Sequence, residues 1–459
     1  MISRLAARLD LEVVLSDGKT VRLRNIAPSS VRWRRNLPAV ADELSVTCGA
    51  AYLPLDLRAC RAIRVWCWLF EHQDMERCAA GDPGCFAGFA DEVARNRLEQ
   101  TVTLRCRDWT AGLLDAHVGA TALKRLDLRR LGTLSAVVQE LVRLGPEYAR
   151  SWKVRSLSEA GKKVVFAALA QAPGVRGVRG GRKSAPGEVF QRRMDLAAFA
   201  DGEEASLWEV VVQVSARMGV VPELALNGAG DPEIMLVDAL DLQTTDALER
   251  GRRHAFMRGA RAFRTLTLGE SVGVMSESVR LTADTELPDQ VVVGAWDHET
   301  GRRVEVAFPP DAKPARGQTL RRLYQVAEGV AEPDALRRVA AAAWAATRQH
   351  QLELEVETWS PWSDGGSAGD PDLLACAPGA ALGLLVADAY AAREAAAVEA
   401  AFDDLPALVL NALMAARRDP GAPAMLFQIG TLEHTYSAGA GSTEYSARLK
   451  LNTWLGRTQ

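Results

Sequence analysis

Apolar and polar residues alternate most strictly near the C-terminal end of the chain, over residues 427–454. Ile429, Leu432 and His434 lead into a Gly/Ser turn at 439–442. Tyr445, Ala447, Leu449, Leu451 and Thr453 then share one face beyond it. A period of two sends successive side chains to opposite faces of a strand, so this stretch predicts a long hairpin that closes a barrel or extends a sheet. The other end of the chain repeats the pattern. Residues 11–16 and 20–25 alternate around Asp17-Gly18, a pair suited to the positive φ angles of a tight hairpin turn. Further strands are predicted at 31–35, 44–48, 62–70, 86–93 and 100–107.

Between these ends the period changes. Asp108 is placed to cap a short helix over 109–116, and apolar residues recur at helical spacing over 131–144 and 164–170. Ser206-Leu-Trp-Glu209 reads as a capping box for a helix over 207–218 that stops at Gly219. Strands at 220–226 and 233–240 come next. A second β series begins near residue 290, with strands at 291–296 and 303–308 around a turn at 297–301. Asp334 is expected to cap a helix over 335–350 whose apolar stripe is Leu336, Val339, Ala340, Ala343, Trp344 and Thr347. A strand at 352–359, a polar loop at 360–372, a strand at 382–388 and an alanine-rich helical excursion at 391–416 precede the closing hairpin. The expected fold class is α+β and β-dominated. Two β-barrel or sandwich domains with associated helices, at 1–110 and 285–459, flank a mixed α/β middle domain at 111–284, with a helical insertion near 391–416.

A chain of 459 residues has room for two to four such domains. Its 48% apolar and 25% charged residues are ordinary for a globular protein, and a formal charge of −3 argues against a general polyanion binder. The opening residues are too short and too charged for a signal peptide, and Pro378, Gly379, Gly383 and Asp388 interrupt the most apolar run. The expectation is a soluble protein, intracellular during synthesis, without a membrane span. Six of the seven cysteines lie between Cys48 and Cys106, with no C-x-x-C pair and few histidines nearby. That spacing favours reduced, buried thiols over a zinc site.

Motifs that carry chemistry are sparse. Gly269-Glu-Ser-Val-Gly273 satisfies G-x-S-x-G, which would make Ser271 a hydrolase nucleophile if a strand preceded it and a helix came after. The residues after Gly273 read as extended, which favours a turn serine. Gly177-Val-Arg-Gly-Gly-Arg-Lys-Ser184 resembles a phosphate loop but carries Arg182 at an essential glycine position. A flexible basic loop from Arg176 to Lys183, facing a polyanion at most, is the plainer reading. Trp66/Trp68 and Trp359/Trp362 could stack on bases or sugars, although tryptophans at alternate positions are more often sheet packing. Carboxylates such as Asp91/Glu92 and Asp403/Asp404 read as solvated faces. No catalytic, cofactor-binding or metal-binding residue is assigned. The competing readings are a serine hydrolase built on Ser271 and a carbohydrate- or nucleic-acid-binding module.

The order of several short motifs resembles a known family. Ala41-Asp-Glu-Leu-Ser-Val46, Leu53-Pro-Leu-Asp56, Ile63-Arg-Val-Trp-Cys-Trp68, Cys85-Phe-Ala-Gly-Phe-Ala-Asp-Glu-Val93 and Leu104-Arg-Cys-Arg-Asp-Trp109 succeed one another. They are similar to the opening barrel of the baseplate hub (late-control, tail-hub) proteins of contractile-tailed phages and related injection systems. Gly259-Ala-Arg-Ala-Phe-Arg-Thr-Leu268, Val291-Val-Val-Gly-Ala-Trp-Asp-His-Glu-Thr-Gly301 and the Leu432-Glu-His434 hairpin resemble later parts of the same family. The resemblance implies that the two β domains are tail-tube-like. It further implies a homotrimeric, pseudo-sixfold ring between a tail tube hexamer and a central spike trimer, in contact with a tape measure protein and other baseplate (wedge) proteins. DNA would meet it only in transit, and it would sit in the virion tail baseplate after assembly in the host cytoplasm. Such a protein is structural, with no enzyme activity and no cofactor. The 391–416 excursion and the Gly/Arg loop depart from the family pattern.

Overall fold

A computed structural model describes residues 5–36, 40–52, 60–71, 84–126, 131, 133–156, 204–216, 219–226, 231–238, 264–268, 274–281, 287–297, 302–314, 319–327, 333–349, 352–358, 381–386, 425–439 and 442–453. The backbone packs into two compact units. One comprises Met1–Thr110, Leu248–Asp284 and His350–Trp454; the other comprises Ala111–Ala247, Thr285–Gln349 and Leu455–Gln459. The chain therefore crosses between units at 110/111, 247/248, 284/285, 349/350 and 454/455, and each unit is assembled from separated stretches.

The N-terminal stretch runs through strands β1 (Leu5–Leu15), β2 (Thr20–Ile26), β3 (Pro28–Asn36), β4 (Glu43–Gly49), β5 (Cys60–Glu71), β6 (Gly84–Asn96) and β7 (Thr101–Asp108). The Asp17-Gly18 turn forms as its sequence requires: Gly18 has φ +81°, its N–H donates to Leu15 O, and Asp17 Oδ1 accepts from Lys19 N–H. Helix α1 (Trp109–Leu114) straddles the boundary, and the second unit goes on through β8 (His117–Gly119), α2 (Ala120–Lys124), α3 (Leu134–Arg143) and β9 (Lys153–Ser156). It continues with β10 (Glu204–Ser206), α4 (Leu207–Ala216), β11 (Val220–Leu226) and β12 (Pro232–Asp238). Strands β13 (Arg264–Leu268) and β14 (Val274–Leu281) return to the first unit. Then β15 (Gln290–Asp297), β16 (Arg302–Phe308), β17 (Arg322–Val326) and α5 (Pro333–Gln349) belong to the second. The first unit is completed by β18 (Leu352–Thr358), β19 (Ala381–Val386), β20 (Met425–Ala438) and β21 (Thr443–Thr453).

Strands are the dominant element, few helices are present, and a large antiparallel sheet anchors the fold, so the class is α+β and β-dominated. All the strands of the first unit join one 13-stranded sheet, in the order β14-β18-β21-β20-β3-β4-β7-β6-β5-β1-β2 with β13 and β19 branching from β20. β1 lies close to both β3 and β21, so the sheet curls over a single core. Leu9, Leu11, Ile63, Leu104, Leu354, Leu432 and Leu449 from both ends of the chain meet in that core. Each occupies the inward parity of its strand, which is why alternation in the sequence marks the core directly.

In the second unit, α3 and α4 pack their apolar stripes together, with Val138, Leu141, Val210 and Val214 buried. Both helix starts are capped by their own sequence. Thr133 accepts from Ala136 N–H, and Ser206 Oγ accepts from Glu209 N–H at 3.1 Å. α5 lies on β15 and β16, where Trp344 meets Phe308 edge to face at 5.7 Å. This helix starts at Pro333, one of the few residues that needs no N–H partner there, so Asp334 falls inside the first turn rather than at the cap. Its buried seam is Leu336, Ala340, Ala341 and Ala345, while Val339, Ala343, Trp344 and Thr347 are half-buried. The buried seam keeps Leu336 and Ala340 of the expected stripe and adds Ala341 and Ala345.

Candidate functional site: a seam between two like halves of the sheet

Strand order in the large sheet repeats. Reading along the chain, β3, β4, β6 and β7 sit in the order first-second-fourth-third, and β14, β18, β20 and β21 sit in that order too. In both sets the third strand pairs with the strand preceding it in the chain, β5 with β6 and β19 with β20. The sets differ one strand further out, where β1 runs antiparallel to β5 but β13 runs parallel to β19. The two halves join head to tail through β20 and β3, which pair from Thr431↔Asn36 to Ser437↔Ser30.

On the solvated face, a row of facing residues crosses the seam with alternating sign. Glu357, Arg448, Glu433, Arg34, Glu43 and Arg107 stand opposite one another on β18, β21, β20, β3, β4 and β7. Neighbouring pairs tie the row together: Arg32 Nε donates to Glu433 Oε1 at 2.6 Å, Arg448 Nη2 to Glu357 Oε2 at 3.4 Å, and Arg107 Nε to Asp91 Oδ2 at 2.9 Å. Exposed pairs of this kind contribute only about 0–1 kcal/mol each. Their stronger effect is on register, because a slip of one residue would set Glu433, Arg448 and Glu357 opposite core-facing residues of the neighbouring strand such as Trp33, Leu432 and Leu449. With cations and carboxylates interleaved, the described residues of this row offer no concentrated positive patch on which phosphate would be held.

Behind the seam lies a buried polar cluster. Trp33 packs edge to face with Phe86 at 6.5 Å, tilts against His434 at 6.2 Å, and carries the Arg35 guanidinium over its ring at 4.9 Å. Arg35, 3% exposed, lies 3.7 Å from the Asp42 carboxylate, which also accepts from Asn36 N–H at 2.8 Å. Burial raises Asp42 to about 6 against the pull of Arg35 and that N–H. Burial, then the neighbouring Asp42, pushes Asp108 well above the ordinary carboxylate range. His434 shares a 2.8 Å hydrogen bond with the Tyr445 hydroxyl, while its buried Nε2 has no hydrogen-bond partner among the described residues.

Burial, then the Arg35 charge, pushes His434 down to about 3 from 6.5. A histidine depressed in the folded state contributes full stability above pH 6.5. That contribution is lost as pH falls toward the folded value, because the unfolded chain takes up the proton first. Asp42 has the opposite sign: raised when folded, it loses stability as pH rises from 3.8 to about 6. A comparison with His434→Phe isolates the histidine. Denaturant unfolding should show wild type losing about 2 kcal/mol relative to that variant between pH 7.5 and 5.0. A difference unchanged across that range would mean His434 is not held neutral.

The motifs considered for catalysis or binding are not brought together. Ser271 and the Arg176–Lys183 loop lie outside the described residues, as do Trp359, Trp362 and the stretches 164–170 and 391–416. Strand β14 comes directly after Gly273, where a nucleophile elbow requires a helix. Trp66 and Trp68 are half-buried on β5, and Trp68 is covered by the Arg8 guanidinium at 4.8 Å. Cys48, Cys67 and Cys106 are buried and in no disulfide, and burial raises the Cys48 thiol to about 11. Among the described residues no cluster of His, Cys, Asp and Glu could hold a metal, and no helix is long and apolar enough to cross a membrane. The Arg35–Asp42–Asp108 cluster, with Arg35 buried and both aspartates half-buried, matches no sequence motif. Its signal is the parity of Val31-Arg-Trp-Arg-Arg35, which puts one arginine on the core side.

No protein-family model and no curated protein matches the chain. Solved structures do. The tail protein of Neisseria meningitidis MC58 matches with a TM-score of 0.50 at 13% identity, over 98% of this chain and 98% of that one. The 43 kDa tail protein of prophage MuSo2 from Shewanella oneidensis gives 0.45 at 13% identity, over 97% and 98%. A Francisella PdpA-VgrG complex in its half-lidded form gives 0.47 at 8% identity, over 98% of this chain and 58% of that one. The first of these likenesses carries the fold: from end to end, this chain shares the architecture of a tail protein.

Proposed function

We propose that the chain is a structural hub in the baseplate of a contractile tail or related injection machine. Three copies form a ring between a hexameric tail tube and a trimeric central spike, in contact with the tape measure protein and with other baseplate proteins. The ring leaves a lumen through which DNA passes, and the protein works in the virion tail after assembly in the host cytoplasm.

The observation that carries the reading is the repeated four-strand order within one sheet. Two like halves per chain give six around a ring of three, which is how a threefold partner and a sixfold partner meet the same object. The interleaved charges of the solvated face support its assignment to the lumen wall, since a strongly basic wall would retain DNA. The architecture shared with a tail protein supports the setting. No enzyme activity is part of this reading; the strand after Gly273 weighs against a hydrolase. Native mass spectrometry of the purified chain should give three times the 49.6 kDa subunit mass. A monomer at micromolar concentration, or turnover of a simple ester that Ser271→Ala abolishes, would overturn the proposal.

A further inference from the structure

The match between the halves extends to residue register. β3 pairs with β4 through a bulge between Pro28 and Ser30, and β14 pairs with β18 through a bulge between Val274 and Ser276. β6 pairs with β7 through a bulge between Ala90 and Glu92, and β20 pairs with β21 through one between Ile429 and Thr431. A bulge inserts an unpaired residue and fixes the local bend, so its position is a marker that alternation alone cannot supply.

Both pairs of bulges fall into one frame. Aligning Ala90 with Ile429 aligns their partners Cys106 and Leu451, and one residue further along those strands, Glu43↔Arg107 aligns with Glu353↔Asn452. From there Arg34↔Glu43 aligns with Arg280↔Glu353, and the count back along β3 and β14 reaches Pro28 opposite Val274. The second pair of bulges thus coincides without adjustment.

In this frame the seam has an unfilled counterpart. Within the chain, the third strand of one half (β20) pairs with the first strand of the other (β3). The equivalent strands, β6 and β14, do not meet. The outer edge of β6 beyond Gly88 and the outer edge of β14 have no neighbouring strand among the described residues. Neither strand contains proline, the residue that would spoil an edge for pairing. Edges left open in this way are templates for another strand.

We infer that the free edge of β6 takes the free edge of β14 from a second copy of this chain, antiparallel and in the register of the internal seam. Transferring Leu432↔Arg35, Glu433↔Arg34, His434↔Trp33 and Thr435↔Arg32 gives Val93↔Leu281, Ala94↔Arg280, Arg95↔Val279 and Asn96↔Ser278 between copies. The contact is heterologous, one edge on each copy, so it propagates until the rotation closes a ring. The seam inside each chain and the seam between chains are then the same structure.

This inference rests on the proposed ring, and cysteine cross-linking tests the two separately. Facing residues of an antiparallel pair lie within disulfide reach, whereas residues four positions out of step do not. The matched pairs Ala94→Cys/Arg280→Cys and Asn96→Cys/Ser278→Cys are compared under mild oxidation with the mismatched pair Ala94→Cys/Ser276→Cys and with each single variant. Both matched pairs should give covalent trimers on non-reducing gels, and the mismatched pair and single variants should remain monomeric. A native trimer in which matched pairs cross-link no better than the mismatched pair would overturn the interface and leave the ring standing. A monomer that cross-links in none of the variants would remove both.

Discussion

Gly88→Ala should lower the stability of the first unit by about 3 kcal/mol or more. Gly88 sits where β6 changes partners, pairing with Ile63 on β5 and with Asp108 on β7. A Cβ at this position would lie 2.0 Å from Arg107 O and 2.5 Å from Asp108 Cα. Those are backbone atoms of a central strand, so no rotamer change can relieve the overlap. β7 would have to move, and it is held on its other side by seven pairs to β4, from Glu43↔Arg107 to Gly49↔Thr101. The reason for glycine here is close strand approach, not an unusual φ. Urea unfolding monitored by tryptophan fluorescence checks it, and a loss under 1 kcal/mol would show that the sheet yields more easily than this geometry implies.

Trp33→Ala should cost about 3–5 kcal/mol, the range for emptying a large, fully buried aromatic site. Trp33 is 1% exposed and touches Phe86, His434 and Arg35 together, so its loss opens a cavity on the core side of the seam. Trp33→Phe should cost clearly less. It preserves an aromatic ring against Phe86 and deletes an indole N–H that is buried without a hydrogen-bond partner among the described residues. The same unfolding measurement orders the three proteins. Equal losses for the two variants would show that the indole itself, and not the filled volume, stabilises the site.

Much of the strand pattern was legible because its determinants are local. Alternation around Asp17-Gly18 and around Gly439–Ser442 predicted hairpins that form with Gly18 in the left-handed region and with Gly439 N–H donating to Ser442 O. Ser206 and Glu209 announced a helix start that Ser206 caps. The α5 seam was less legible, because in a run of alanines hydrophobicity hardly distinguishes one face from another. Arg34 and Arg35 make the same point from the opposite side: two identical side chains, one exposed and one buried, separated by strand parity alone.

Residue order by itself settled where most of the described strands lie, and how the Asp17-Gly18 turn and the Ser206 helix start are made. Each of these depends on neighbours within a few positions. The tertiary structure decided which stretches come together. Arg32 and Glu433 form an ion pair across 401 positions, and the seam they belong to joins the two ends of the chain into one sheet. Pairing edges carry backbone donors and acceptors that are chemically alike in every strand, so nothing in the side-chain pattern marks a partner so far away. Burying a shared core selects it instead, and only the folded chain reveals which edges, those of β6 and β14 among them, have no neighbour among the described residues.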